Sequence, residues 1–145
     1  MKDIVFDVDG TLSNNEHRQH HLATKPRNWK LFNETIHLDL PHYDIIWLLN
    51  TFRNAGNRII ICTARTSDLR EVTEEWLARY DIKYHAMYMR EEKDYRDDGI
   101  IKVEMYRQIL SDGFDPYLWV DDRKRVVDAL RDAGVRVLQV APGEF

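Results

Sequence analysis

The sequence predicts an α/β protein: a three-layer sandwich around a central five-stranded parallel sheet, with a minimal cap. Two observations predict it. Apolar, β-branched runs of strand length alternate with stretches of helical periodicity. Acidic pairs, a hydroxyl and a lysine recur just after the strands or at the next helix, where open parallel sheets place their sites. The length of 145 residues suits one domain. A chain of that size buries roughly two-thirds of its unfolded surface without a staple.

Ile4-Val5-Phe6 is the first buried strand. Pro41 opens a helix with Ile45, Ile46, Leu48, Leu49 and Phe52 at helical spacing, closed by Gly56. Arg58-Ile59-Ile60-Ile61-Cys62 has the continuous apolar run of a strand covered on both faces. Ser67 is placed to cap the next helix, with Leu69, Val72, Trp76 and Leu77 as its stripe. A weaker strand follows at 85–89, then a helix facing inward through Ile101, Met105, Ile109 and Leu110. Tyr117-Leu118-Trp119-Val120 is the fourth strand, and Val126, Val127 and Leu130 mark the fourth helix, ending at Gly134. Val135, Val137, Leu138 and Val140 form the fifth strand. Right-handed crossovers then give a Rossmann-like sheet with helices on both faces.

Two stretches break this rhythm. Residues 13–40 are polar, carry His17, His20, His21 and His37, and read as a small lid or cap insertion. Residues 90–98 are mostly charged with mixed signs, the composition of a solvated loop. No repeat or linker divides the chain, so 1–145 reads as one domain.

Composition excludes several classes. Apolar residues at 43% and charged residues at 32% are those of a globular chain. One cysteine, Cys62, cannot form an internal disulfide, and its apolar strand makes it a core thiol. No run approaches the roughly 18 apolar residues of a membrane span, and the N-terminus lacks the apolar run of a signal peptide. A soluble, cytoplasmic protein is expected. The 21 basic against 25 acidic residues give a net charge of −4, which disfavours coating nucleic acid through phosphate contacts. A few local arginines at one cleft are still compatible with binding a strand end.

The first strand runs into Asp7-Val8-Asp9-Gly10-Thr11. Two acids one residue apart repel, and a divalent cation would relieve them. Gly10 suggests a turn that brings backbone groups towards metal and phosphate. The second strand ends in Thr63-Ala64-Arg65, a hydroxyl and a guanidinium suited to phosphate oxygens. Lys102 lies near the start of the third helix, and Asp121-Asp122-Arg123 closes the fourth strand. Asp121-Asp122 alone could merely cap a helix; four features on one rim argue for a site. The chemistry permitted is phosphoryl transfer through an aspartyl-phosphate. A cation would remove repulsion between carboxylate and phosphate, Lys102 would hold the nucleophile, and Asp9 would shuttle the proton.

These residues resemble the haloacid dehalogenase superfamily of phosphohydrolases, through Asp7-Val8-Asp9-Gly10-Thr11, Thr63, Lys102 and Asp121-Asp122 in the family's order. Over nearly the whole chain the sequence is similar to the 3′-phosphatase domain of bacteriophage polynucleotide kinase–phosphatases. Arg18, Thr63-Ala64-Arg65, Arg90, Arg96-Asp97-Asp98, Val120-Asp121-Asp122-Arg123 and the ending Gln139 to Phe145 carry that similarity. The resemblance implies a Mg2+-dependent enzyme acting on 3′-phosphorylated DNA or RNA ends, in nucleic-acid end repair. A separate kinase or ligase would be its partner and the host cytoplasm its location. It implies catalytic roles for Asp7, Asp9, Thr63 and Lys102. It implies metal binding by Asp7, Asp9 (through its backbone carbonyl), Asp121 and Asp122. Arg18, Arg65, Arg90, Arg96, Asp98 and Arg123 would contact substrate, the arginines gathering as a basic patch near the rim. No glycine begins a G-x-x-x-x-G-K-[ST] phosphate loop, so no kinase activity is expected of this chain.

Two competing readings share parts of this pattern. A phosphatase for free nucleotides would use the same chemistry, but residues 13–40 leave little room for the large cap that encloses a small molecule. A phospho-receiver module would carry its acceptor Asp after the third strand, where this sequence has none. His17, His20 and His21 lack cysteine partners and read as part of the lid rather than a zinc site. Trp29 lies between Arg27 and Lys30 in that polar segment and could stack on a base, whereas the other tryptophans have core-compatible spacing.

Overall fold

The computed structural model describes residues 1–145. Its centre is a parallel five-stranded sheet of β1 (Asp3–Phe6), β4 (Arg58–Thr66), β5 (Ala86–Arg90), β6 (Pro116–Asp121) and β7 (Val137–Gln139). The order across the sheet is β5-β4-β1-β6-β7, so β1 lies in the middle. Phe6 pairs with Ile61 on one side and Val120 on the other. The ladder continues one residue further, the Asp7 N–H donating to the Val120 carbonyl at 3.0 Å.

Strand alternation divides the core in two. Ile4, Phe6, Ile59 and Ile61 face a layer that includes Ile46 and Leu49 of α3 (Tyr43–Asn54) and Trp76 and Leu77 of α4 (Arg70–Arg79). Val5, Ile60 and Cys62 face Ile101, Met105 and Ile109 of α5 (Asp98–Ser111) and Val126, Val127 and Leu130 of α6 (Lys124–Asp132). Both faces are thus helix-covered, the arrangement that continuous apolar strands require. Burial of side chains such as Phe6, Ile60 and Trp76 is the main stabilising contribution, about 1.5–3 kcal/mol for each large apolar side chain.

Several boundaries differ from the sequence expectation. Pro41 does not open a helix; it pairs with Ser13 in a two-stranded antiparallel ribbon of β2 (Ser13–Asn14) and β3 (Leu40–Pro41), and α3 starts at Tyr43. Ser67 does not cap α4 with its side chain: β4 runs on to Thr66, and Ser67–Leu69 forms a 3₁₀ turn before Arg70. Trp47, expected among the core-compatible tryptophans, faces outward at 68% exposure.

Residues 13–41 fold as an insertion closed by that ribbon. It holds the short helices α1 (His20–Ala23) and α2 (Trp29–Glu34) and two 3₁₀ turns. It is fastened to α4 by Trp76 Nε1 donating to the Asp39 carbonyl at 2.9 Å and Arg79 donating to the His37 carbonyl at 2.7 Å. Thus the insertion stands over the carboxyl ends of β1 and β4, where the charged residues gather.

Candidate active site

The carboxyl end of β1 delivers Asp7, and that of β6 delivers Asp121 and Asp122. All three are buried, and each offers an oxygen within 4.8 Å of the others. The approach is close because the chain turns at Gly10, where φ is +82° and a Cβ would overlap the Asp122 carboxylate. Glycine is the residue that satisfies both demands. Thr11 ties the acids together, its hydroxyl lying 3.0 Å from Asp7 Oδ2 and 3.4 Å from Asp122 Oδ1.

Lys102, on the first turns of α5, reaches this cluster from below. Its buried ammonium donates to Asp7 Oδ1, Asp121 Oδ2 and the Cys62 carbonyl, each at 2.9 Å. All three ammonium hydrogens are therefore used. Asp121 also accepts from Trp119 Nε1 at 3.2 Å and from the Asp122 N–H at 2.9 Å, which fixes its orientation. Burial favours a neutral Lys102, but Asp121 and Asp7 outweigh it and hold the ammonium pKa well above its ordinary value. Burial, then the Asp121 charge, push the Asp7 carboxyl well up. The same two causes raise Asp122 from 3.8 to about 6. Three crowded acids against one lysine is an arrangement short of positive charge. An all-oxygen set of this kind suits a hard divalent cation.

Asp9 belongs to a different cluster. Its carboxylate turns away from the acids and lies between Arg18 Nη2 at 2.6 Å and Arg65, which donates through Nε at 2.9 Å and Nη2 at 2.7 Å. Burial raises the Asp9 pKa, but Arg65 and Arg18 more than offset this and hold it well below the usual carboxylate range. Arg18 is fully buried and also grips Asp39 through Nε and Nη2, both at 2.8 Å. Arg65 is further fixed by Thr73 at 3.0 Å. His17 Nε2 completes the group, 2.6 Å from Asp39 Oδ1.

The remaining candidates form a third string. Arg90 is buried and donates to the carbonyls of Ala64, Asp94 and Arg96 and to the Asp98 carboxylate. Arg123 pairs with the other oxygen of Asp98 and donates to the Phe145 carbonyl at 2.9 Å. The stretch 90–98 is therefore an ordered ionic loop at Arg90, Asp94 and Asp98 rather than a merely solvated one. The Arg96 side chain turns to the surface of this loop and pairs with Asp94 and Glu104. Thr63 is buried within β4, which runs three residues beyond it rather than ending there, and its Oγ1 accepts from the Arg65 N–H at 3.1 Å.

An open basic patch is thus not what the five arginines make. Every one is already matched to a carboxylate, and Arg18, Arg65 and Arg90 are buried. A guanidinium taken out of water demands such a partner. Sequence reasoning missed Asp39, the acid that balances Arg18, because it lies at the end of a polar stretch with no pattern of its own. Thr11 stood inside the first motif, and its link between Asp7 and Asp122 was the part not read from it. Cys62 is an inert neighbour: burial pushes its thiol up to about 12.

A parallel sheet with an acid after its central strand, a second acidic pair on the adjoining strand and a buried lysine between them defines a phosphohydrolase domain of haloacid dehalogenase type. The model of the polynucleotide kinase PNKP phosphatase domain matches residues 1–145, and the chain belongs to that family. Among solved structures it is similar to a chain of the Pnkp1/Rnl/Hen1 RNA repair complex, with 31% identity and a TM-score of 0.85. That match covers 100% of this chain and 44% of the other. The class C acid phosphatase of Bacillus anthracis shares the fold, at 17% identity and a TM-score of 0.70, over 99% of this chain and 70% of that one. A protein of Autographa californica nuclear polyhedrosis virus, named for polynucleotide kinase and RNA ligase activities, is 24% identical over 131 residues. The alignment takes in 89% of this chain and 18% of the viral protein. The chain therefore spans less than half the length of these repair relatives. No helix is long and apolar enough to cross a membrane.

Proposed function

We propose that residues 1–145 form a phosphatase domain that removes the 3′-phosphate from DNA or RNA ends through a phosphorylated Asp7, with residues 13–40 as its small cap. The observation that supports this most directly is the state of Asp7. It is a buried carboxylate held by Lys102 and Thr11 beside two further acids, at the carboxyl end of the central strand. Asp7, Asp121 and Asp122 would hold a hard divalent cation, Mg2+ by the family resemblance, with the Asp9 carbonyl as a further candidate ligand. When bound, the cation offsets the charge that would otherwise keep a phosphate away from Asp7.

In the first step an Asp7 oxygen forms a bond to phosphorus while the bond from phosphorus to the 3′-oxygen breaks, and the leaving oxygen takes a proton. In the second step water attacks phosphorus, gives up a proton, and frees Asp7. Asp9 is the proton carrier. Arg18 and Arg65 keep it ionised at rest, ready to accept a proton from water. To donate one in the first step it must first take a proton, from solvent or from a monoprotonated phosphate, once that phosphate competes for its guanidiniums. The proton goes to the 3′-oxygen, and water replaces it in the second step. Thr63 and Lys102 support the phosphate and the nucleophile. Arg90, Asp98 and Arg123 fix the loop beside the rim, and Arg96, exposed but paired with Asp94 and Glu104, would have to exchange those carboxylates for a flanking phosphate.

The relatives' membership of an RNA repair complex, and the viral relative's kinase and ligase name, support nucleic-acid ends as substrate and a kinase or ligase as partner. Phosphate release from a 3′-phosphorylated oligonucleotide, a 5′-phosphorylated one and free nucleotides tests this reading. The 3′-phosphorylated strand should have the highest kcat/KM. Its lead over a 3′-mononucleotide should grow with length up to about six nucleotides and narrow with salt. A mononucleotide that is the best substrate at both low and high salt would replace this reading with a nucleotide phosphatase.

A further inference from the structure

The insertion carries a large aromatic that its own packing leaves out. Trp29 opens α2 and is 52% exposed. It is nevertheless held in place. The Asn28 side chain accepts from the Leu31 N–H at 3.1 Å, and the Asn28 N–H donates to the His21 carbonyl at 2.7 Å, which fixes the start of α2 against α1. Phe32 meets the indole edge-on, with centroids 5.7 Å apart and planes at 88°. Over Phe32 in turn lies the Arg18 guanidinium, its carbon 4.3 Å from the ring centroid. Arg18 is the residue that donates to Asp9. The indole is therefore no more than about 10 Å from a guanidinium bonded to the proposed proton carrier. Lys25, Arg27 and Lys30, all exposed, flank it along the chain.

An exposed, braced indole with cationic residues beside it in the chain, within about 10 Å of the Arg18 guanidinium, has the makings of a base platform. Every base presents a π face, so stacking gives affinity without sequence preference. We propose that Trp29 stacks on the base of one of the two nucleotides nearest the 3′-phosphate. It thereby makes the site prefer a nucleotide-bearing phosphomonoester to a bare one. The inference rests on the polynucleotide reading above and adds the residue that enforces it.

The test uses 3′-phosphorylated tetranucleotides with all bases present, or with tetrahydrofuran abasic residues at the last two positions. Wild-type protein should show a KM about 10-fold higher for the abasic strand, with kcat within about twofold, the size expected of one stacked base. Trp29→Ala should raise KM for the intact strand by the same factor and no longer distinguish the two strands. Trp29→Phe should restore most of the discrimination. Trp47→Ala, at an exposed tryptophan on α3, should retain it in full. Equal kcat/KM for the two strands in wild type, or discrimination that persists in Trp29→Ala, overturns the platform while leaving the 3′-phosphatase reading intact. Hydrolysis of p-nitrophenyl phosphate without phosphate release from either strand overturns the polynucleotide reading, and the platform with it.

Discussion

Asp7 and Asp9 are two residues apart in sequence and belong to clusters of opposite electrostatic character. Around Asp7 stand Asp121, Asp122 and a single cation, Lys102, a formal charge of −2 for the four groups. Around Asp9 stand Asp39, Arg18 and Arg65, a set that sums to zero. In the first cluster the Asp7 and Asp122 pKa values rise; in the second the Asp9 value falls, although burial alone would raise it too. The difference teaches which buried acids await a ligand. A balanced cluster is paired as folded and braces the site until a phosphate competes for its guanidiniums. An unbalanced one is stable only with a proton or a cation from outside.

The largest effect expected is on the unbalanced side. Asp7→Asn keeps the shape but replaces one acceptor oxygen by an amide NH2 and removes the charge of the nucleophile. Phosphate release should fall by at least about 10⁴-fold while the circular dichroism spectrum is retained. Residual turnover near the wild-type rate would remove Asp7 from the chemistry.

Breaking the balanced side should be felt as stability. Arg18→Gln leaves Asp39 and Asp9 sharing one guanidinium in a dry environment, a loss of about 3–5 kcal/mol. Asp39→Asn should cost a comparable amount. The double variant should lose less than the two singles together, because each change relieves the imbalance left by the other. Denaturant titrations of the four proteins check this, and strict additivity would contradict a shared cluster.

The pH dependence separates the clusters. The folded Asp122 pKa of about 6 lies above its ordinary 3.8, so the folded state binds that proton more tightly. Its contribution to stability is present below about pH 4 and lost as pH rises through 6. Asp9, held low, contributes in the opposite sense: its share is present above the ordinary carboxylate range and lost as pH falls through its folded value. Melting temperatures with chelator should therefore decline between pH 5 and 7 from the Asp122 side. A fixed magnesium concentration, about 100 times the dissociation constant at pH 7, should add roughly 2.7 kcal/mol there. The gain should be greater at pH 7 than at pH 5, where protons compete for the site. Equal gains at both would argue against a carboxylate cation site.

The smallest effect is at the edge of the site. Asp97 caps α5, accepting from the Gly99 N–H at 2.9 Å, and pairs with Arg125. Asp97→Ala should cost about 1 kcal/mol. Because α5 carries Lys102, a modest fall in kcat should accompany the lower melting temperature.

Much of this was written in the order of residues. Apolar runs such as Ile59-Ile60-Ile61 have no stable place except a strand covered on both faces, and the periodicity of the helices supplies the cover. The positions of Asp7 and Asp121-Asp122 at the carboxyl ends of β1 and β6 were legible for the same reason: a parallel sheet brings those ends to one rim. The ends of elements were less legible. Pro41 went into a ribbon with Ser13, and Ser67 into a 3₁₀ turn, because pairing partners distant in sequence won over local capping signals.

What only the tertiary structure decided was how charge is shared. The sequence offered two acids in Asp7-Val8-Asp9 and a set of arginines; it did not say that one acid would be starved of cations and the other held by two. That depended on Arg18 and Arg65 converging on Asp9 from the insertion and from β4, and on the insertion, which folds Asp39 back onto Arg18 from 21 residues away. Side-chain charges choose partners by distance and burial in three dimensions, and neither quantity is encoded locally. A sequence by itself can therefore place ionisable groups on a rim, while the fold determines which of them are already paired.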